Sequence, residues 1–200
     1  MIFRQTQLYK FIYYNDNFGI GKKVLDCGAG GNMPPLALFK ENGYETSGIE
    51  INDSQLEKAN RFAEDKGMSL NINKGDMTCM NFGTGFFDCA YSYNSIFHMK
   101  KADIKKAVDE IIRVVKKGGL VYLNLLSVED FGYGQGEKIG EGEFLQDEGD
   151  GKIIHTFYSA EEARNLFSGY EILLYQHRIP ERKFGTDMIK QAFHDFILKI

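Results

Sequence analysis

A glycine-rich turn, three carboxylates and two histidines are the residues whose types and spacing could do chemistry. Asp26-Cys27-Gly28-Ala29-Gly30 follows directly on an apolar run, and glycine lets a backbone turn tightly and approach a ligand closely. Glu50 with Ile51, and Asp76 with Met77, each set an acidic acceptor beside an apolar neighbour, and Ser92-Tyr93-Asn94 closes a further apolar run. A carboxylate accepts two hydrogen bonds at once. His98 and His155 are the candidates for moving a proton, because an unperturbed imidazole titrates near neutral pH. Each also has a plainer reading, His98 as a cap or packing residue of the next helix and His155 as an ordinary cross-strand residue. Cys27, Cys79 and Cys89 are odd in number and lack CxxC spacing, so neither a disulfide framework nor a zinc site is expected.

The elements that must position these residues alternate in type. Lys23 to Asp26 reads as a short buried strand, the glycines as a turn, and Pro34-Pro35 as the opening of a helix that runs to Asn42-Gly43. Glu45 to Ile51 is a second strand, and Asp53 or Ser54 caps a helix that Gly67 closes. Ser69 to Asn73, Phe86 to Ser92 and Leu120 to Leu126 are further strands, the last two separated by Ile104, Val108, Ile111, Ile112 and Val115 at helical spacing. Strands apolar on both faces that alternate with helices imply a parallel sheet covered on both sides, a doubly wound α/β domain. Ligands in such folds sit beyond the carboxyl ends of the strands where strand order reverses, so the four positions named above line one crevice.

Residues outside that rhythm fall at the two ends. Leu8, Phe11 and Ile12 share one face of a helix over Thr6 to Tyr14, expected as an N-terminal flap within residues 1–19. Tyr9, Tyr13 and Tyr14 on it either close over the ligand or belong to the core. Glu129 to Gly151 holds seven glycines and eight acidic residues against one lysine, Lys138, and reads as an insertion or mobile loop. It is followed by strands at Lys152 to Tyr158, Glu171 to Ile179 and Phe193 to Ile200, with a helix capped at Ser159 among them. Residues 127–158 are therefore expected as loop and strand over the site. With 43% hydrophobic and 26% charged residues, 200 residues fit one domain that buries roughly 70% of its unfolded surface.

Val24-Leu25-Asp26-Cys27-Gly28-Ala29-Gly30-Gly31 resembles the first motif of the class I S-adenosylmethionine-dependent methyltransferases, which has an acidic residue two before its first glycine. The resemblance extends to Glu50, to Asp76-Met77, to Phe87–Tyr93 and to the Arg113–Leu120 lead into the fifth strand, and so covers about residues 20–126. It implies a mostly parallel, Rossmann-like sheet of seven strands with helices on both faces and an antiparallel last strand. It also implies S-adenosyl-L-methionine as cofactor, held by Asp26 at the methionine amino group, by Gly28, Ala29 and Gly30 at the turn, and by Glu50 at the ribose hydroxyls. Ile51, Asp76 and Met77 would meet the adenine, with Ser92 and Tyr93 at the fourth strand's end. One departure is Asn32, where the family often has a third glycine; asparagine is the non-glycine residue that best tolerates left-handed backbone. A nicotinamide-binding turn is the rival, but it needs glycine where Met33 stands, and Pro34 and Pro35 remove two N–H donors that a pyrophosphate would use.

The expected activity is methyl transfer to a small-molecule acceptor, with a non-catalytic sensor or partner subunit, and a tRNA or protein methyltransferase, as the alternatives. The acidic stretch beside the crevice favours neutral or cationic acceptors. Lys100, Lys101, Lys105, Lys106, Arg113, Lys116 and Lys117 fall on the polar side and C-terminal end of an amphipathic helix, which a solvated face explains better than a nucleic-acid surface. A formal charge of −4 likewise makes nucleic acid an unlikely partner. No apolar run reaches the length of a membrane span and no signal peptide is evident, so a cytoplasmic protein without membrane attachment is expected. A homodimer is compatible with everything above.

Overall fold

The computed structural model describes residues 6–149 and 151–200. In chain order the elements are α1 (Thr6–Asn17), β1 (Lys23–Cys27), α2 (Leu36–Glu41), β2 (Glu45–Glu50), α3 (Asp53–Asp65), β3 (Ile72–Lys74), β4 (Phe87–Ser92), α4 (Lys101–Val114) and β5 (Val115–Ser127). They continue with β6 (Glu137–Gly140), β7 (Glu143–Asp147), β8 (Lys152–Tyr158), α5 (Ala160–Leu166), β9 (Glu171–Arg178), β10 (Glu181–Phe184), β11 (Asp187–Lys190) and β12 (Phe193–Lys199). Seven strands form the body of the sheet in the order β3-β2-β1-β4-β5-β12-β9. Only β12 runs against its neighbours, antiparallel to both β5 and β9. The expected seven-stranded sheet with an antiparallel last strand is present, and it is extended to ten strands because β8 joins the carboxyl end of β5 and carries β7 and β6 with it.

Side chains alternate between the two faces of these strands, as a period of two requires. Leu25, Phe87, Val121, Leu123 and Phe196 face α4 and α5, whereas Val24, Tyr91, Tyr122 and Ile197 face α1, α2 and α3. The N-terminal helix is part of that second layer, which corrects its reading as a flap. Leu8 and Phe11 are fully buried, and the Phe11 ring lies 6.0–6.5 Å from those of Phe39, Tyr91 and Tyr122. Gln7 of α1 also donates to Asp195 of β12, whose carboxylate takes the Tyr122 hydroxyl and the Arg178 guanidinium. Tyr9 and Tyr13 face outward, while Tyr14 packs at the edge of this core and stacks on Phe18. Residues 1–5 of the expected flap lie outside the described residues.

Three further departures have local causes. Asn71 takes a left-handed φ of 56°, which ends the extended run expected from Ser69 and leaves β3 only three residues. The cap of α3 is Asn52, one residue before the expected pair, and its side chain accepts from the Gln55 N–H. The acidic Gly-rich stretch is a β6–β7 hairpin that pairs onto β8, with left-handed glycines at its turns. By contrast the expected cap at Ser159 forms a full capping box with Glu162.

If α1 is a core helix, Phe11→Ala should destabilise the chain by about 3–5 kcal/mol, the usual cost of emptying a buried phenylalanine site. Urea unfolding measures it, and a loss below about 1 kcal/mol would mean that α1 is detachable.

Candidate active site

The chain leaves β1 toward β2 on one side, and β4 lies on the other, so the carboxyl ends of β1 and β4 part where strand order reverses. The glycine turn sits at that point. The Gly28 and Ala29 N–H groups both donate to the Ile49 carbonyl, at 2.9 and 3.0 Å, which ties the turn to β2. Gly28 has φ 98°, and a methyl group on it would collide with the Ser95 hydroxyl. A methyl on Gly30 would come within 2.6 Å of the Glu50 carboxylate. Bare backbone is therefore a requirement here.

Glu50 ends β2 with its Oε1 accepting the Asn52 N–H at 2.8 Å, so the residue that caps α3 also orients the carboxylate. Gly31 donates to the Gln55 carbonyl at 3.0 Å, which docks the turn on the same first turn of α3. These residues open a cavity of about 460 Å³ lined by Gly28, Gly30, Glu50, Ile51, Met77 and Tyr93 from the sequence-predicted set. Asp76 borders a side pocket with Met77, where its Oδ1 takes both the N–H and the hydroxyl of Thr78 at 2.7 Å. The wall also includes Asn94, placed at the crevice by the Ser92-Tyr93-Asn94 run, and Asn52, Gln55, Ser95 and Ile153, which sequence reasoning passed over.

Asp26, Ala29 and Ser92 are not in that wall, being 1, 0 and 0% exposed. Their side chains obey strand alternation and local packing. The Ala29 methyl lies against Gly48 in the core, and Ser92 is buried at the end of β4. Asp26 faces Tyr91, whose hydroxyl donates to its Oδ2 at 2.7 Å. Burial pushes the Asp26 carboxyl up to about 8, the Tyr91 hydrogen bond opposes that rise, and the charge of Glu50 adds to it.

A second cavity of about 250 Å³ adjoins the first and shares Asn94 and His98 with it. Asn94 has a left-handed φ of 54°. It is held there from β5, because its N–H donates to the Asn124 Oδ1 at 2.8 Å while Asn124 Nδ2 donates back to its Oδ1 at 2.6 Å. A non-glycine residue in this conformation at a strand end is the signal that marks Asn94. The two candidate histidines come together on this second cavity with their ring centres 4.7 Å apart. Desolvation lowers both imidazoles below their ordinary value; the neighbouring His155 adds to the fall at His98, and Glu148 and Asp130 oppose it at His155. Both are thus neutral proton acceptors at neutral pH. His155 also makes the cross-strand pairing expected of it, opposite Phe144. His177 and His194 stack 4.5 Å apart away from either cavity, bonded to Ser127, Tyr175 and the Tyr158 carbonyl.

Residues 25–123 match the family described as methyltransferase domain. The chain belongs to the class I S-adenosylmethionine-dependent methyltransferases. Over 102 residues, half of this chain, it is 37% identical to a sterol 24-C-methyltransferase of Aspergillus fumigatus. Those residues are 26% of that relative, so the chain spans only about a quarter of its length. The fold is that of an S-adenosylmethionine-dependent methyltransferase from Methanosarcina mazei, with a TM-score of 0.73 at 21% identity over 90% of this chain and 93% of that one. It is also that of the Burkholderia thailandensis 1,6-didemethyltoxoflavin-N1-methyltransferase, solved with its acceptor and S-adenosylhomocysteine, with a TM-score of 0.65 at 13% identity over 94% and 75% of the two chains. S-adenosylmethionine is the cofactor of this family, and a glycine floor, an oriented carboxylate and the apolar Ile51 and Met77 fit a ligand that has a ribose and a purine and no phosphate.

The buried carboxyl gives a pH test. Asp26 keeps its proton in the folded chain up to about pH 8, whereas the unfolded chain loses it near 3.8. The folded state therefore holds the extra proton between these values, and stability falls as pH rises through that window. Asp26→Asn should raise the melting temperature over the parent by about 10 °C or more at pH 8 and by nothing below pH 4. A gap independent of pH would contradict the assignment.

Proposed function

We propose that this chain transfers a methyl group from S-adenosylmethionine to a small-molecule acceptor. The observation that carries the reading is the meeting of two cavities at Asn94 and His98, the larger floored by the glycine turn and Glu50. Glu50 would take the ribose hydroxyls, with one of its oxygens already fixed by Asn52. Ile51 and Met77 would flank the adenine and Asp76 its amino group, while Gly28 and Gly30 leave room for the rest of the ligand. Asp26 would act from beneath the turn as a protonated carboxyl bonded to Tyr91, and Ala29 and Ser92 through packing, since none of the three reaches the cavity.

The bound cofactor supplies a methyl group already activated by its sulfonium. The chain's own task is then to hold a nucleophile in line and to exclude water. His98, on both cavities, and His155, beside it, stand ready to accept a proton from an acceptor that must lose one.

Several observations bear on partners. Lys101, Lys105, Lys106, Arg113 and Lys116 are each ion-paired with a carboxylate, which leaves little free charge for a nucleic acid on α4. No helix among the described residues is long and apolar enough to cross a membrane. Three free cysteines, two of them buried, suit the reducing cytoplasm. The names of the sterol-methylating relatives support a small organic acceptor, and the family match ends at residue 123, before β7, β8 and β12, which complete the second cavity.

Calorimetric titration of the parent chain and of Glu50→Ala with S-adenosylhomocysteine, and with NAD as a control, tests the reading. The variant should keep its circular dichroism spectrum and lose about 100-fold or more in affinity, since two hydrogen bonds to a charged acceptor contribute about 1.5–3 kcal/mol each. Unchanged affinity, or preferential binding of NAD, would overturn the proposal.

A further inference from the structure

The walls of the second cavity are of two kinds. Phe97, Phe157 and Phe193 are buried and close its apolar side, and Phe131, 48% exposed, stands at its mouth. The polar side carries Asp130, Glu148 and the two imidazoles, and no lysine or arginine lines the cavity among the described residues. Asp130 is fixed in the wall, because one of its oxygens takes the Gly132 N–H and the other the Ala192 N–H, each at 2.8 Å. Glu148 stands 3.3 Å from His155 Nε2 and is half exposed, so it faces the solvent that enters from the mouth. A recess with acidic groups and low-dielectric walls focuses a negative potential. Aromatic faces add their own attraction for a cation.

The geometry points to a compact amine, protonated in water, as the molecule this cavity admits. The inference rests on the methyl-transfer reading and narrows its acceptor. A volume of about 250 Å³ lies below the roughly 300–1,000 Å³ of sites for drug-sized ligands. The family match covers only part of these walls: Asn94, Phe97 and His98 lie within residues 25–123, whereas Leu126, Asp130, Glu148, His155, Phe157 and Phe193 all follow it. In the transfer itself the amine nitrogen, once unprotonated, uses its lone pair to form the new N–C bond. The electron pair of the broken S–C bond stays on sulfur, and one proton passes to water for each methyl group moved.

The test uses the full chain saturated with S-adenosylhomocysteine and four probes followed by calorimetry: benzylamine, benzoate, benzyl alcohol and cyclodextrin-solubilised cholesterol. Benzylamine should bind about 10-fold or more tightly than each of the other three. Glu148→Gln, a half-exposed position whose change leaves the fold intact, should cut the preference over benzoate by about 3-fold. Equal or tighter binding of benzoate, benzyl alcohol or cholesterol overturns the inference, as does binding by none of the four. A preference that Glu148→Gln leaves unchanged overturns it too. Because S-adenosylhomocysteine is titrated first, its failure to bind removes the methyl-transfer reading, whereas its binding without an amine preference removes only the acceptor.

Discussion

Strand β1 is hydrogen-bonded in parallel on both sides, to β2 along its whole length and to β4 over Val24–Asp26, and the site exists because of that double pairing. A strand so enclosed has nowhere to send its chain except over the sheet, and it must do so between two carboxyl ends that are already occupied. The turn is consequently tight, and glycine is needed where Ser95 presses in from the β4 side and Glu50 from the β2 side. The same constraint gives the crevice its chemistry. The strand that crowds Gly30 is the one that delivers the carboxylate, so the floor of the cavity and its hydrogen-bond acceptor have a common origin.

Helix α3 reinforces this arrangement at its first turn. Asn52 caps the helix with its side chain and gives its own N–H to Glu50, while the Gln55 carbonyl accepts from Gly31. Loss of the cap would cost the helix about 1 kcal/mol and would free the carboxylate as well. Stability of a helix end and orientation of a polar group are here one set of bonds.

Much of this was legible in the residues. Alternation of apolar strands with amphipathic helices gave the doubly wound sheet, and the spacing from Gly28 to Glu50 and Asp76 gave three sides of the crevice. What was not legible depended on which way a side chain turns. Asp26 and Ser92 carry polar groups at strand ends, yet both are buried, and it is Tyr93 and the left-handed Asn94, just past the end of β4, that face the cavities. The β10–β11 hairpin had no apolar face to announce it, since nearly all of Glu181 to Lys190 is exposed. The β6–β7 hairpin was hidden by its glycines and acids, and it is ordered through pairing with β8, a contact between segments that local propensity does not encode. The meeting of His98 with His155 comes from Thr156 of β8, which donates its N–H to the Phe97 carbonyl and its hydroxyl to the Met99 carbonyl, and was beyond reach of either residue's neighbours in sequence.

The mutual bonds between Asn94 and Asn124 set a length scale for the site. Asn94 forms part of both cavities, and Asn124 is fully buried in the middle of the sheet, so the boundary between the two compartments is referred to a strand instead of a loop. Adjacent strands keep a spacing of about 4.8 Å, and that spacing cannot drift without breaking the ladder between β4 and β5. The boundary between the two cavities is thereby ruled by the backbone of the sheet and not by the outer hairpin, so its position is as fixed as the ladder itself.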